Sequence, residues 1–316
     1  MNLAHIDQET VAPAGGRILH AADGQPTGVL RENAMALVRK HDYRVIGWGN
    51  QHLTVRAVKR FVDGALGSHG AWLLKPYDDL PTSCGLNTLG LDSLRATAAL
   101  AIAHHYQLCV HAIGDRANRE VLNIYEEAFK SHPSQHDLRW RVEHAQHLDP
   151  SDIPRFGKLG VIASMQFVHA TSDGPFVIQR LGKMRAGAGA YAWKSLTNTG
   201  AIIANGTDIP VERVNPLAGL YSAVTRRMAN GTPFFPGQCL TRRAALRCYT
   251  LNAAYAAFEE SVKGSITAGK LADFVVLSDD PLTVPAEQLR QIRVLKTFIS
   301  GQVVYSAGKT LPPEGN

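Results

Sequence analysis

The chain has 316 residues, 45% of them hydrophobic, and a formal charge of +6 from 33 basic and 27 acidic side chains. This composition is typical of a globular protein and argues against a disordered one. The apolar segments are shorter than the roughly 20 residues that span a bilayer, and the basic residues are scattered, which argues against membrane and nucleic-acid partners. The sequence shows no secretory signal and no paired cysteine motif, so we expect a cytoplasmic protein; a homo-oligomer is compatible with these features.

From residue 43 onward, short β-rich segments alternate with helical segments, which is the pattern of parallel βαβ units. Helices are predicted at 91–105 and 116–130, and Asp115 precedes the second one where an N-cap lies. The predicted strands cover residues 43–48, 55–62, 107–113, 139–145, 160–166 and 201–207.

The end of the chain has a different pattern. After residue 258, glycines bound short β-rich segments, and 293–305 is predicted to form a hairpin. We therefore predict an α/β barrel domain over residues 1–258, followed over residues 259–316 by a small β segment.

Four polar residues lie in or directly after predicted strands: Lys59, His111, His144 and Asp208. The 33 residues between the two histidines fit one βα unit, and the 64 residues from His144 to Asp208 fit about two. If Asp208 follows the eighth strand of a barrel, then His144, His111 and Lys59 belong to the sixth, fifth and fourth strands. Parallel barrels place their chemistry where strands end, so we expect these side chains to lie close together.

Each of these residues also has a simpler interpretation. A single histidine near a buried strand is more often structural, Asp208 could open a turn before Pro210, and Lys59 could be an edge lysine. Lys59 as a Schiff-base nucleophile is a further alternative. The four residues together favour a divalent metal site, because neutral imidazole and carboxylate are ligands of zinc.

The sequence resembles the amidohydrolase superfamily, and within it a large bacterial branch that includes N-substituted formamide deformylases. The resemblance rests on segments that follow the family order: "GGRILHAADGQPTGVL", "VKRFVDGALGSHGAWLLKPY", "VHAIGDRANREVL", "RVEHAQH", "SMQFVHATSD", "NGTDIPVERVNPL" and "GSITAGKLADFVVLSDDP". The resemblance implies a TIM-type metallo-hydrolase barrel with a C-terminal β segment that belongs to a composite sandwich.

The resemblance also implies roles for particular residues. His111 and His144 correspond to metal-binding histidines, and Asp208 to the aspartate that binds metal and transfers the proton. Lys59 corresponds to a lysine that many binuclear relatives carboxylate. The family motifs also contain residues to which we assign a supporting or substrate-facing role: Asp63, Arg116, His169 and Asp173. Phe167 stands where the branch has proline, and a tolerated apolar replacement is the favoured interpretation.

Members of the superfamily carry an H-x-H pair after the first strand, and this sequence contains no H-x-H. Three βα units before Lys59 would need roughly 90 residues, whereas 58 are present. We therefore expect an incomplete barrel that corresponds to the C-terminal portion of a longer amidohydrolase.

Two functions follow as hypotheses. The first is a metal-dependent hydrolase of carbon–nitrogen bonds outside peptides, such as amides, formamides or cyclic amides, with metal-activated water and Asp208 as proton shuttle. The second is a non-catalytic fragment of such an enzyme that lacks the H-x-H ligands.

Overall fold

The computed structural model describes residues 44–47, 51 and 53–308. Its first two strands, β1 (Val45–Gly47) and β2 (Leu53–Val55), form an antiparallel pair of their own. The prediction that residues 43–48 begin the parallel series is therefore wrong. The physical reason is the short connection, because a parallel crossover needs a dozen or more residues and only five separate these strands.

A five-stranded parallel sheet forms the centre of the fold, and its strands are neighbours in chain order. They are β3 (Ala57–Phe61), β4 (Gln107–Ala112), β5 (Arg141–His144), β6 (Ile162–Met165) and β7 (Ile203–Asn205). This order confirms the predicted succession of the strands that carry Lys59, His111 and His144. Strand β7 ends at Asn205, and Asp208 lies in the loop that follows it.

Ten α-helices belong to the described part of the chain. Two long ones, α1 (Leu91–Ala103) and α2 (Asp115–Ser131), agree with the predicted helices to within two residues at each end. The others are α3 (Ile153–Leu159), α4 (His169–Ser172), α5 (Gly174–Leu181), α6 (Lys183–Gly189), α7 (Trp193–Asn198), α8 (Pro216–Thr225), α9 (Arg242–Tyr249) and α10 (Leu251–Ala256).

Helix α2 begins one residue earlier than predicted. Asp115 is its first residue and Gly114 is the N-cap, with no side-chain capping bond. The Asp115 carboxylate instead accepts hydrogen bonds from the backbone N–H groups of Leu74, at 2.8 Å, and Arg116, at 3.0 Å. It therefore connects the long loop after β3 to the start of α2, a contact that local helix signals do not contain.

The two faces of the sheet have different roles, because alternate residues of a strand point to opposite sides. One face packs under the helices through buried side chains of the main core: Val58, Leu108, Val110, Val142, Ala163 and Ile203. The residues between them, including Lys59, His111 and Glu143, belong to the other face. Two of the polar residues predicted from the sequence, Lys59 and His111, thus share the face that the main helical core does not cover.

The C-terminal part forms a three-stranded antiparallel sheet of β8 (Phe274–Leu277), β9 (Val294–Ile299) and β10 (Gln302–Ser306). The hairpin predicted at 293–305 is confirmed by β9 and β10. Leu289 and Ile292, just before β9, are buried in the main core. The boundary between residues 258 and 259 stays a prediction.

In the described part of the chain, no helix combines the length and the apolar character that crossing a bilayer requires. The segment 180–196 contains parts of three helices and buries Tyr191 and Trp193.

Arg226 is a fully buried cation that ends α8. Its guanidinium donates hydrogen bonds to the carbonyls of Phe234 and Tyr191, the latter at 3.0 Å, and lies 4.3 Å from the centre of the Trp193 ring. Burial lowers its pKa to about 10.

Arg226→Met is expected to lower the free energy of unfolding by about 3 kcal/mol, because the buried carbonyls lose their donor. Urea denaturation measures this change. Arg227→Met, which alters the exposed neighbour, is the control and is expected to change stability by about 0.5 kcal/mol or less. Equal midpoints for the two variants would contradict the prediction.

Candidate metal centre

Three potential metal ligands converge at the C-terminal ends of the parallel strands. His144 is the last residue of β5, His169 begins α4 after β6, and Asp208 follows β7. One ligand atom from each of the three residues lies within 4.8 Å of those of the other two. Among the described residues this cluster has the ligand types and spacing that can hold a divalent ion.

The backbone at two of these residues has an uncommon conformation. His144 has a φ of 75° and Asp208 a φ of 58°. Such left-handed angles are rare outside glycine, cost on the order of 1–3 kcal/mol, and cluster at functional sites. Here they turn the chain at the end of a strand so that both side chains reach the same point.

His111 lies directly beside this cluster. Its ring is 4.5 Å from the ring of His144, centre to centre, in an edge-on arrangement. Neither of its ring nitrogens makes a hydrogen bond of normal geometry, and Asp63 Oδ1 lies 3.4 Å from Nε2. A neutral imidazole with no strong partner can offer the lone pair of one ring nitrogen to a ligand, which fits the predicted metal-binding role.

The imidazoles are held in the form that binds metals. Burial lowers the pKa of His111 to about 3, assisted by the neighbouring His144 and Lys59 and opposed by the Gly64 carbonyl. Burial also lowers the pKa of His144 and of His169. A neutral imidazole offers a lone pair without first losing a proton, so the cluster is suited to a cation.

Lys59 lies in the middle of β3, on the same face of the sheet as His111. Its Nζ is 3.7 Å from the centre of the Phe61 ring. Burial lowers the pKa of this ammonium group, and the carboxylates of Glu143 and Asp208 oppose that effect. The Lys59 ammonium group thus lies close enough to Asp208, His111 and His144 to interact with them electrostatically.

Asp63 is deeply buried and accepts hydrogen bonds from the backbone N–H groups of Trp72 (2.9 Å), Ile113 (3.0 Å) and Gly114 (2.8 Å). Burial raises its pKa to about 7, and the three N–H donors oppose the rise. With a side chain that is 0% exposed, Asp63 supports the loops and His111, and the predicted substrate-facing role does not fit this geometry.

Arg116 is placed in the first turn of α2. Its Nε is 2.8 Å from a carboxylate oxygen of Glu120, and its guanidinium lies 5.3 Å from the Trp72 ring centre. A contact with substrate stays a prediction for this residue. Asp173 accepts a 2.5 Å hydrogen bond from the Tyr191 hydroxyl, in keeping with a supporting role.

Two residues were missed by the sequence analysis. Gln166 Oε1 lies 2.9 Å from His144 Nδ1, and Gln146 Nε2 lies 3.0 Å from His169 Nδ1. Hydrogen bonds of this kind fix the orientation of metal-site histidines. Gln146 stands in "RVEHAQH" and Gln166 in "SMQFVHATSD", so each is close in sequence to one histidine and contacts the other. The motifs could mark the glutamines as site residues but could not assign their partners.

Phe167, the residue that replaces the expected proline, is fully buried. Its ring packs edge-on against Trp193 at 4.8 Å and Tyr249 at 5.9 Å. The structure agrees with an apolar replacement that the core accommodates.

A sequence profile of the amidohydrolase family matches residues 39–305. The chain belongs to the amidohydrolase family. The YtcJ protein of Bacillus subtilis is 38% identical over 79% of this chain and 47% of its own length. The N-substituted formamide deformylase of Arthrobacter pascens is 29% identical over 79% of this chain and 45% of its own length.

A solved hydrolase structure shares the fold of this chain. An uncharacterized metal-dependent hydrolase from Pyrococcus horikoshii OT3 superposes with a TM-score of 0.71 at 27% identity, covering 81% of this chain and 50% of that one. The chain therefore has the α/β fold of the TIM-barrel hydrolases and spans about half the length of the relatives it matches.

Proposed function

We propose that this amidohydrolase chain carries the metal-binding residues of a hydrolase that cleaves carbon–nitrogen bonds outside peptides. The observation that carries the proposal is the convergence of His144, held neutral by burial, and Asp208 at the carboxyl edge of the sheet, with His169 beside them. The names of the relatives support it, since one is a formamide deformylase and another a metal-dependent hydrolase.

In this proposal His144 and Asp208 hold the ion, His111 adds a ligand from the neighbouring strand, and Lys59 completes the site from β3. Imidazole and carboxylate together favour zinc. A bound divalent ion supplies Lewis-acid polarisation of the substrate carbonyl and acidifies water. The unpartnered ring nitrogens of His111 are the feature of the structure that fits such an ion.

Asp208 is the proposed proton carrier. Asp208 is an exposed residue at the mouth of the site, where its carboxylate can reach both water and substrate. A carboxylate oxygen of Asp208 accepts a proton from the attacking water and then gives it to the leaving nitrogen. The C–N bond breaks, and the products are a carboxylic acid and an amine.

The loop that follows Asp208 favours a substrate with an apolar substituent. Ser172 of α4 donates a 2.6 Å hydrogen bond to Glu212, which fixes this loop beside the cluster. The loop exposes three apolar side chains: Ile209, Val211 and Val214. Apolar groups exposed next to a site often mark a ligand contact, so we propose N-substituted amides or formamides with a nonpolar group.

The proposal is tested on the full chain, freed of metal and reloaded with Zn²⁺. We expect amine release from N-alkyl or N-benzyl formamides, measured by mass spectrometry, only in the metal-loaded protein. Asp208→Asn is expected to lower kcat by about 10²-fold or more, because general acid–base transfer contributes on that scale. Asp92→Asn changes a fully exposed aspartate and is the matched control.

A chain that binds Zn²⁺ but releases no amine from formamides, open-chain amides or cyclic amides would overturn the proposed activity. That outcome would favour the other hypothesis, a non-catalytic chain of the same family.

A further inference from the structure

Two glutamine side chains contact neighbouring histidines of the metal centre through different atoms. Gln166 presents its carbonyl oxygen to His144 Nδ1, and Gln146 presents its amide nitrogen to His169 Nδ1. A carbonyl oxygen only accepts hydrogen bonds, and an amide nitrogen only donates them. His144 therefore carries its proton on Nδ1, whereas His169 has a lone pair there and carries its proton on Nε2.

We propose that Gln146 is a positioning residue that holds His169 in its Nε2–H tautomer, so that His169 donates a hydrogen bond to the substrate instead of binding the metal. Only the identity of the acceptor, the oxygen of the scissile carbonyl, rests on the proposed function. The tautomer is inferred from the placement of the two glutamine amides against the histidine rings.

The surroundings of His169 support this assignment. Its side chain is buried, and Nε2 has no hydrogen-bond partner among the described residues. A buried N–H without an acceptor is unfavourable unless a ligand supplies one. One ligand atom from each of His144, Asp208 and His169 lies within 4.8 Å of the others, so a substrate oxygen that reaches the first two residues also lies close to the His169 ring.

Gln146 is itself held firmly enough to select the tautomer. It is buried, and its backbone carbonyl accepts a 2.6 Å hydrogen bond from the N–H of Tyr191. The hydroxyl of the same tyrosine donates to Asp173, which lies one helical turn after His169. The Tyr191 hydroxyl thus engages one oxygen of Asp173, the carboxylate nearest to His169 in sequence. The Gln146 amide contacts His169 at Nδ1.

The contrast with His144 explains why two histidines in one cluster have different roles. The Nδ1–H of His144 donates a hydrogen bond to Gln166, which leaves the lone pair on Nε2. This nitrogen points away from Gln166 and can bind a cation. His169 in the opposite tautomer presents a proton at Nε2, and a nitrogen that carries a proton cannot be a metal ligand. One site thus gains both a ligand and a hydrogen-bond donor from the same residue type.

The test is ¹⁵N NMR of the full chain labelled at histidine, without metal or substrate, with His169 assigned from the spectrum of His169→Asn. The expected signature is a protonated Nε2 and an unprotonated Nδ1 for His169. In Gln146→Glu the carboxylate accepts, so Nδ1 is expected to become protonated. Gln146→Met, which removes the donor at similar volume, is expected to lose the single tautomer and serves if the glutamate variant fails to fold.

Zn²⁺ binding by equilibrium dialysis gives a second readout. His169→Ala is expected to keep the Zn²⁺ affinity within about threefold, since its proton excludes it from the ligand set. A protonated Nδ1 in the unmodified chain would overturn the inference, and so would a 100-fold loss of Zn²⁺ affinity in His169→Ala. An unchanged tautomer in both Gln146 variants would remove the role of Gln146.

The NMR result does not depend on hydrolysis. If the chain hydrolyses no substrate but His169 shows the Nε2–H tautomer that Gln146 controls, the proposed function fails and this inference stands. If hydrolysis depends on metal and the tautomer is reversed, this inference alone fails.

Discussion

His144→Ala is expected to lower the affinity of the chain for Zn²⁺ by about 100-fold or more. The residue closes β5, adopts a φ of 75°, and makes its Nε2 lone pair available through the Gln166 contact. Loss of a supporting contact around a metal ligand typically costs 10–100-fold in affinity, and loss of the ligand itself costs at least as much. Gln166→Met is therefore expected to have an intermediate effect, about 10-fold.

Equilibrium dialysis with elemental analysis measures this affinity after removal of adventitious metal. His136→Ala is the matched control, because His136 is exposed in the loop before β5, at the opposite end of the strand from His144. It is expected to bind Zn²⁺ as the unmodified chain does. Equal metal content in the His144 and His136 variants would exclude His144 as a ligand.

Asp63→Ala is expected to lower the free energy of unfolding by about 3–5 kcal/mol. The carboxylate accepts from three backbone N–H groups, at the end of β4 and in the loop after β3. Each buried donor without an acceptor costs about 1–3 kcal/mol. Burial of the carboxylate, which raises the pKa of Asp63 to about 7, offsets part of this stabilisation. The expected loss of stability is therefore smaller than the summed upper cost of three unsatisfied donors.

Urea denaturation of the Asp63→Ala variant gives the total effect, and amide hydrogen exchange at Trp72, Ile113 and Gly114 gives its location. Asp92→Ala is the control. Its carboxylate is fully exposed and pairs with Arg95 on the surface, which is expected to contribute less than about 1 kcal/mol. Unchanged exchange at the three amides would show that the Asp63 carboxylate does not hold this loop.

The long helices and the parallel strands could be predicted because helical periodicity and β-rich segments are visible in short stretches of sequence. The spacing of Val121, Leu122 and Tyr125 marks the buried face of α2, and the structure buries all three residues. The antiparallel pairing of β1 with β2 was not foreseen, since a short β-rich segment does not show its partner. Whether such a segment pairs in parallel or antiparallel depends on the length of the connection to its partner strand.

The candidate site could be predicted in part. His144 and Asp208 were recognised as strand-end residues, and the structure brings them together. His169 was expected to have a supporting or substrate-facing role, and the fold places it within the same cluster. Asp63 was expected to have a supporting or substrate-facing role, and the three N–H groups that enclose its carboxylate fit the supporting one. Whether a polar side chain in a motif faces the site or the backbone depends on packing that the motif does not describe.

The sequence alone determined the α/β class, the order of the strands and the residues at their ends, because the alternation of β-rich and helical segments is a local property. Tertiary structure decided how those residues meet. The opposite contacts of Gln146 and Gln166 with His169 and His144 arise only when separate βα units pack side by side. Which amide atom faces which histidine depends on atoms that only the fold brings together. The spacing of these residues in the sequence therefore does not predict the direction of the hydrogen bonds.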